Sequence, residues 1–153
     1  VNPYAFGAAI APHIAAEAAG VRIDIARIAS AHARLAARAD VVVVEGAGGW
    51  RVPLDADIDM ADLAAHLGLP VVLVVGLRLG CLNHAMLTAD AVRARGVPWA
   101  GWIANRIDPA MPYADANLRA LHARLPGPCL GVQPFVAELA EPAPPDWLHL
   151  PEN

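Results

Sequence analysis

Glu45 follows four consecutive valines, Val41 to Val44, and precedes Gly46-Ala47-Gly48-Gly49-Trp50. A carboxylate at the end of an apolar run is costly unless it meets a cation or good donors. Magnesium carried by a nucleotide is one such partner, since it takes one or two carboxylates together with phosphate oxygens. Loop amides are another, and the pattern alone leaves both readings open. Gly46, Gly48 and Gly49 let the backbone approach a phosphate closely, although glycine loops are also common turns. Gly80-Cys81-Leu82-Asn83 precedes a second helical pattern. Free amides at a helix start hold a carboxylate or phosphate, while Asn83 is equally an ordinary N-cap. Asn105 offers an acceptor and donors able to read a base edge, or serves as a turn residue. Pro134-Phe135 forms either one wall of a base pocket or packing at a sheet edge. Asp55, Asp57, Asp59 and Asp62 resemble metal ligands only superficially; Asp57 is expected to cap a helix and the others to form a solvated face. His13 and His84 read as packing or surface residues.

The elements that must position these groups alternate. Pro12 starts a short alanine-rich helix, and Asp24 caps a helix running to Ala39. The valine run at 41–44 predicts a strand buried on both faces, as in a parallel sheet covered by helices. A helix over Asp57–Leu67 stops at Gly68 and Pro70. A second all-apolar strand, Val71–Val75, leads through a loop into a helix over Asn83–Arg95, closed by Gly96. A third strand, Trp99–Ala104, ends at Asn105. The segment Pro112–Leu125 predicts a helix with Leu118, Leu121 and Leu125 on one face, and Cys129–Val132 a short fourth strand. This alternation defines an α/β fold with a mainly parallel sheet. Ligands of such sheets sit at the carboxyl ends of the strands, which is where Glu45, Gly80–Asn83, Asn105 and Pro134 fall.

Composition narrows the function classes. The chain has 153 residues, 57% hydrophobic and 17% charged, with a net charge of −4. That suits one domain with a buried core. The acidic balance and the absence of any basic run argue against nucleic acid and anionic membranes as partners. The apolar runs fall far short of the roughly 20 residues a membrane helix needs, and no signal peptide is visible. Cys81 and Cys129 are far apart and read as reduced thiols of a cytoplasmic protein. All eleven basic residues are arginine. Without lysine, this stretch of chain holds no Walker A loop, whose lysine reaches the terminal phosphates.

Taken together, the motifs resemble the dethiobiotin synthetases. The matching stretches are Val1-Asn2-Pro3-Tyr4-Ala5-Phe6, Ala11-Pro12-His13, Val43-Val44-Glu45-Gly46-Ala47-Gly48-Gly49-Trp50 and Gly80-Cys81-Leu82-Asn83-His84-Ala85-Met86-Leu87-Thr88. Gly101-Trp102-Ile103-Ala104-Asn105 and Leu130-Gly131-Val132-Gln133-Pro134 follow in order. The resemblance implies a P-loop NTPase-type fold and an ATP- and magnesium-dependent ligase of biotin biosynthesis. Its substrates would be 7,8-diaminononanoate, carbon dioxide and ATP. By position, Glu45 would be a magnesium ligand, with Gly46, Ala47 and Gly48 continuing the nucleotide loop. Asn105 and Arg106 would contact the base, and Pro134, Phe135 and Val136 would line its pocket. Gly80, Cys81, Leu82 and Asn83 would hold the substrate carboxylate across a homodimer. Asn117 falls where the family can place a substrate-binding tyrosine.

The family's P-loop strand, its two lysines and a further acidic metal ligand have no counterpart in the chain. The resemblance therefore implies a C-terminal two thirds, a single partial domain over residues 1–153 with a proline-rich tail over 142–153. Such a piece, with no catalytic residue assigned, is expected to be inactive alone and to expose apolar surface where the missing strand belongs. Two rivals share some features. A ligase of the cobyrinic acid amide synthase type would carry the Glu45 loop without Gly-Cys-Leu-Asn-His, and a nonenzymatic remnant would bind nucleotide or a partner only.

Overall fold

The computed structural model describes residues 1–137 and 145–150. The chain divides into two compact units, Val1–Leu69 and Pro70–Asn153.

The first unit holds three helices, α1 (Pro12–Ala18), α2 (Ile25–Ala36) and α3 (Met60–Leu67). Pro12 lies in the first turn of α1, where its missing N–H costs nothing. Asp24 caps α2 by accepting from the Ala26 amide at 2.8 Å. The helix ends at Ala36, one turn before the expected Ala39. Ala16, Ile23, Leu54 and Leu63 form the core, with Tyr4, Phe6 and Ile28 packed against it. The Tyr4 hydroxyl accepts from the Asp24 amide, and the Arg27 guanidinium lies over the Tyr4 ring.

Two expectations fail in this unit. Val41–Val44 is not a strand: the segment is irregular and Val43 is 87% exposed. A strand exists only through a hydrogen-bonded neighbour, and these valines have none among the described residues. The cap of α3 is Asp59, not Asp57. Asp59 accepts from the Asp62 amide while Asp62 accepts from the Asp59 amide, a reciprocal capping box. Asp57 lies ahead of this box, in the turn of a tight hairpin in which Pro53 faces Asp59. Asp55 pairs with Arg22 at 2.6 Å, so the four aspartates divide into structural roles.

The second unit is a three-stranded parallel sheet in the order β1 (Val71–Gly76), β2 (Trp99–Asn105), β3 (Cys129–Gln133). The crossovers are α4 (Cys81–Ala94) and α5 (Ala114–Arg124), which pack against each other. The core lies between these helices and one sheet face: Val75, Trp102 and Ala104 meet Cys81, Ala85, Ala89, Leu121 and Leu125. Trp102 is also edge-on to the His122 ring at 5.0 Å. The opposite face is not fully covered. Val74 on β1 is 58% exposed, so this strand alternates and is not buried on both sides.

Ala100 bulges out of the β1–β2 ladder and Leu130 out of the β2–β3 ladder. Gly101, beside the first bulge, has φ +146°, and a Cβ there would lie 2.6 Å from the Pro128 carbonyl oxygen. Gly131, beside the second, lies under the returning chain. Its antiparallel bridge to Leu148 and the 2.6 Å bond from the His149 amide to the Leu130 carbonyl dock residues 145–150, which include a 3₁₀ turn at Pro145–Trp147. The rest of the expected tail over 142–153 lies outside the described residues.

Replacing Asp59 with Ala is expected to destabilise the first unit by about 1 kcal/mol, the usual worth of an N-cap. Burial pushes the Asp59 carboxyl up, but hydrogen bonds from Arg51 and from the Asp62 and Ala61 amides outweigh it and hold it below the ordinary carboxylate value. This contribution is complete above the unfolded value of about 3.9 and is lost as pH falls through the lower folded value. Denaturant titrations should therefore show the gap between wild type and Asp59→Ala closing only below about pH 4.

Candidate functional site

In the first unit the glycine loop is shaped by what lies beneath it. The Met60 amide donates to the Val52 carbonyl at 3.0 Å and the Val52 amide to that of Gly49 at 3.1 Å. These bonds tie the loop to the start of α3. Gly48 sits at φ +81°, and a Cβ on it would lie 2.8 Å from Val52 Cγ2. A Cβ on Gly46 would lie 2.7 Å from Met60 Cε. Arg51 pairs with Asp59 at 2.5 Å, anchoring the loop's far end to the helix cap. Glu45 is exposed at the loop's entry, with no hydrogen bond or ion pair to any described residue. Gly46, Ala47, Gly48 and Gly49 are exposed as well. A solvent-facing carboxylate beside an open loop suits a hard divalent cation as one ligand of several. No cluster of three or more metal-ligating side chains occurs among the described residues.

In the second unit the remaining residues gather at one edge of the sheet, because parallel strands all end on the same side. Gly76 stands opposite Asn105, and Asn105 opposite Gln133. The Leu77 amide donates to the Asn105 carbonyl at 2.8 Å, and the Arg106 amide to the Gln133 carbonyl at 3.1 Å. Pro134, Phe135 and Val136 continue directly from Gln133. A cavity of about 660 Å³ opens here, lined by Arg106, Asp108, Met111, Tyr113, Asp115, Arg119 and Phe135 among others. That size suits a small ligand.

The start of α4 lies beyond β1 on the same edge. Its N-cap is Gly80 at φ +94°, and Asn83 is inside the first turn rather than at the cap. A glycine takes this left-handed position without the Cβ clash that other residues meet. The Cys81 amide bonds to Arg78 and the His84 amide to Gly80. No side chain caps the helix, so the Leu82 and Asn83 amides have no acceptor among the described residues. Asn117 lies in the first turns of α5 and turns its amide back onto the Tyr113 carbonyl at 3.1 Å.

Several cavity residues escape a reading of sequence: Asp108, Met111, Asp115 and Arg119. They lie in the loop after β2 and the first turns of α5. The one available signal was position, since this loop follows a strand end. Tyr113 has φ +57°, the only left-handed non-glycine residue described, and is 84% exposed. Such strained residues concentrate at ligand sites. Asp115 holds the Arg106 guanidinium at 2.5 Å, and that hydrogen bond keeps its carboxyl below the usual range.

A parallel sheet crossed by helices defines an α/β domain, and the family match below makes it one of the P-loop NTPase type. Residues 1–143 match the AAA domain family, and the chain belongs to it. Among curated proteins it is 61% identical over 143 residues to the ATP-dependent dethiobiotin synthetase BioD of Aromatoleum aromaticum, covering 94% of this chain and 63% of that protein. The proteins of the same name from Janthinobacterium and Pseudomonas paraeruginosa are 55% and 56% identical, covering 94% and 90% of this chain and 59% and 61% of theirs. The chain thus spans about six tenths of the length of these relatives. Among the described residues, no helix is long and apolar enough to cross a membrane.

Replacing Gly48 with Ala is expected to cost about 1–2 kcal/mol for a left-handed residue with a Cβ, and more for the contact of that Cβ with Val52. Trimming the clashing neighbour as well, in Gly48→Ala/Val52→Ala, should leave only the backbone part of that cost. A thermal-melt comparison of the single and double variants separates the two contributions.

Proposed function

We propose that the protein containing this chain is an ATP-dependent ligase that makes dethiobiotin from 7,8-diaminononanoate and carbon dioxide. The observation that carries this reading is the carboxyl edge of β1, β2 and β3. It brings uncapped helix amides, Asn105 at the end of β2 and a cavity lined by Arg106, Tyr113 and Phe135 to one edge, in a chain whose relatives bear that activity in their names. In the reaction, one amine captures carbon dioxide as a carbamate. The carbamate oxygen attacks the terminal phosphorus of ATP and releases ADP. The second amine then attacks the activated carbonyl, closes the ureido ring and expels phosphate. Holding both amines in one bound substrate makes the closure intramolecular.

The chain's own residues bind and orient. Asn105 reads the adenine edge, while Pro134, Phe135 and Val136 wall the base and Arg106 borders it. The Gly80–Asn83 amides hold the substrate carboxylate at the start of α4, and in a homodimer they reach the partner's substrate. Glu45 is one ligand of magnesium, with Gly46, Ala47 and Gly48 beside it. When bound, the ion neutralises phosphate charge as it develops. Asn117, tied to the Tyr113 carbonyl, is the candidate for the substrate contact on α5. The free thiols Cys81 and Cys129 suit a reducing cytoplasm.

Protein expressed from the complete coding sequence should form dethiobiotin only when ATP, carbon dioxide and the diamine are all supplied, as mass spectrometry of the product would reveal. A soluble, folded protein that yields none refutes the assignment. Glu45→Gln should lower turnover by at least an order of magnitude and raise the magnesium concentration needed for half-maximal rate. An unchanged magnesium dependence would remove Glu45 from the metal site.

A further inference from the structure

Arg106 and Phe135 line the same cavity and are fixed relative to one another by backbone. The Arg106 amide bonds to the Gln133 carbonyl, two residues before Phe135. One is a planar cation, the other an exposed aromatic ring. A partly exposed arginine normally spreads over many rotamers. Here one of them is favoured, because the Nη2 donates to Asp115 Oδ1 at 2.5 Å. Asp115 stands in the first turn of α5, where a negative charge is favoured by the helix dipole. Tyr113, in its left-handed conformation, sets the start of that helix. The Asp115 side chain is 73% exposed and that of Arg106 33%. An ion pair this exposed does little for stability. Its effect is orientation: it occupies one of the five guanidinium donors of a side chain that lines the cavity.

We propose that Asp115 is a positioning residue for the nucleotide: it holds the Arg106 guanidinium as one wall of the cavity, so that the base stacks between it and the Phe135 ring. This rests on the cavity being the base site. The two walls have a different task from Asn105. Stacking on a guanidinium or an aromatic ring is available to every base, because every base has a π-face. Asn105 reads an edge and discriminates; Asp115, through Arg106, adds affinity common to all nucleotides.

The test is calorimetric binding of ATP and GTP with magnesium to the full-length protein, without the diamine. Asp115→Asn should weaken both nucleotides by the same factor, roughly tenfold at most for loss of one stacking partner, and leave the ATP-to-GTP ratio unchanged. Arg106→Lys keeps the charge but loses the plane, and should do the same. The double variant should bind no more weakly than Arg106→Lys alone. Asp115→Glu should recover most of the affinity, which a general loss of folding would not allow. Wild-type affinity in Asp115→Asn, multiplying losses in the double variant, or a changed nucleotide ratio would each overturn the proposal. Phe135→Ala and Asn105→Ala separate the two levels. If both leave ATP binding intact, the base-site reading itself fails. If they weaken it while Asp115→Asn does not, only the positioning role fails.

Discussion

Everything the second unit presents to a ligand depends on the parallel ladder joining Gly76, Asn105 and Gln133. Parallel pairing allows no choice about where strand ends go: three strands running one way must finish on one edge. The Leu77 and Arg106 amides, each bonded across to the next strand, carry that order just past the sheet. The loops that follow then leave from neighbouring points. Uncapped helix amides, an asparagine and a phenylalanine, far apart in sequence, come to share one rim without any of them contacting its neighbour in the chain.

The rim is also where the unit relaxes its local rules. Gly80 takes a left-handed conformation so that α4 can start without a side-chain cap. Tyr113 takes one without being glycine. The α4 start leaves donors unused, which is unfavourable unless an acceptor arrives from water or a ligand. The capping box of α3 shows the contrast. Asp59 and Asp62 satisfy each other there, Arg51 adds a further bond, and nothing remains to offer. A fully satisfied helix start has nothing left to bind, whereas the α4 start has free amides that the proposed carboxylate contact would use.

The order and type of most elements were legible in the sequence because local signals agreed: Asp24 as a cap, Gly68 and Gly96 as stops, β-branched runs bounded by turn residues. The Val41–Val44 strand was misread for a physical reason. Composition reports a willingness to pair, not the presence of a partner, and the valines stand unpaired. Asp57 and Asp59 are both credible caps at a spacing of two. The choice was made by the Pro53–Asp59 bridge, a contact that no propensity encodes. Of the proposed site residues, Asn105 and Phe135 were legible because they stand at or just past strand ends, while Glu45 drew notice from a valine run that forms no strand among the described residues. Asp115 was not legible, since an acidic residue in a first helical turn is commonplace, and its importance comes from facing Arg106.

Gly131 carries a consequence of a different kind. A side chain there would collide with the Trp147 carbonyl oxygen. The returning segment lies flat on β3 because that residue has a hydrogen where others have carbon. The attachment of residues 145–150 to the sheet therefore depends on that missing side chain as well as on the bond from the His149 amide to Leu130.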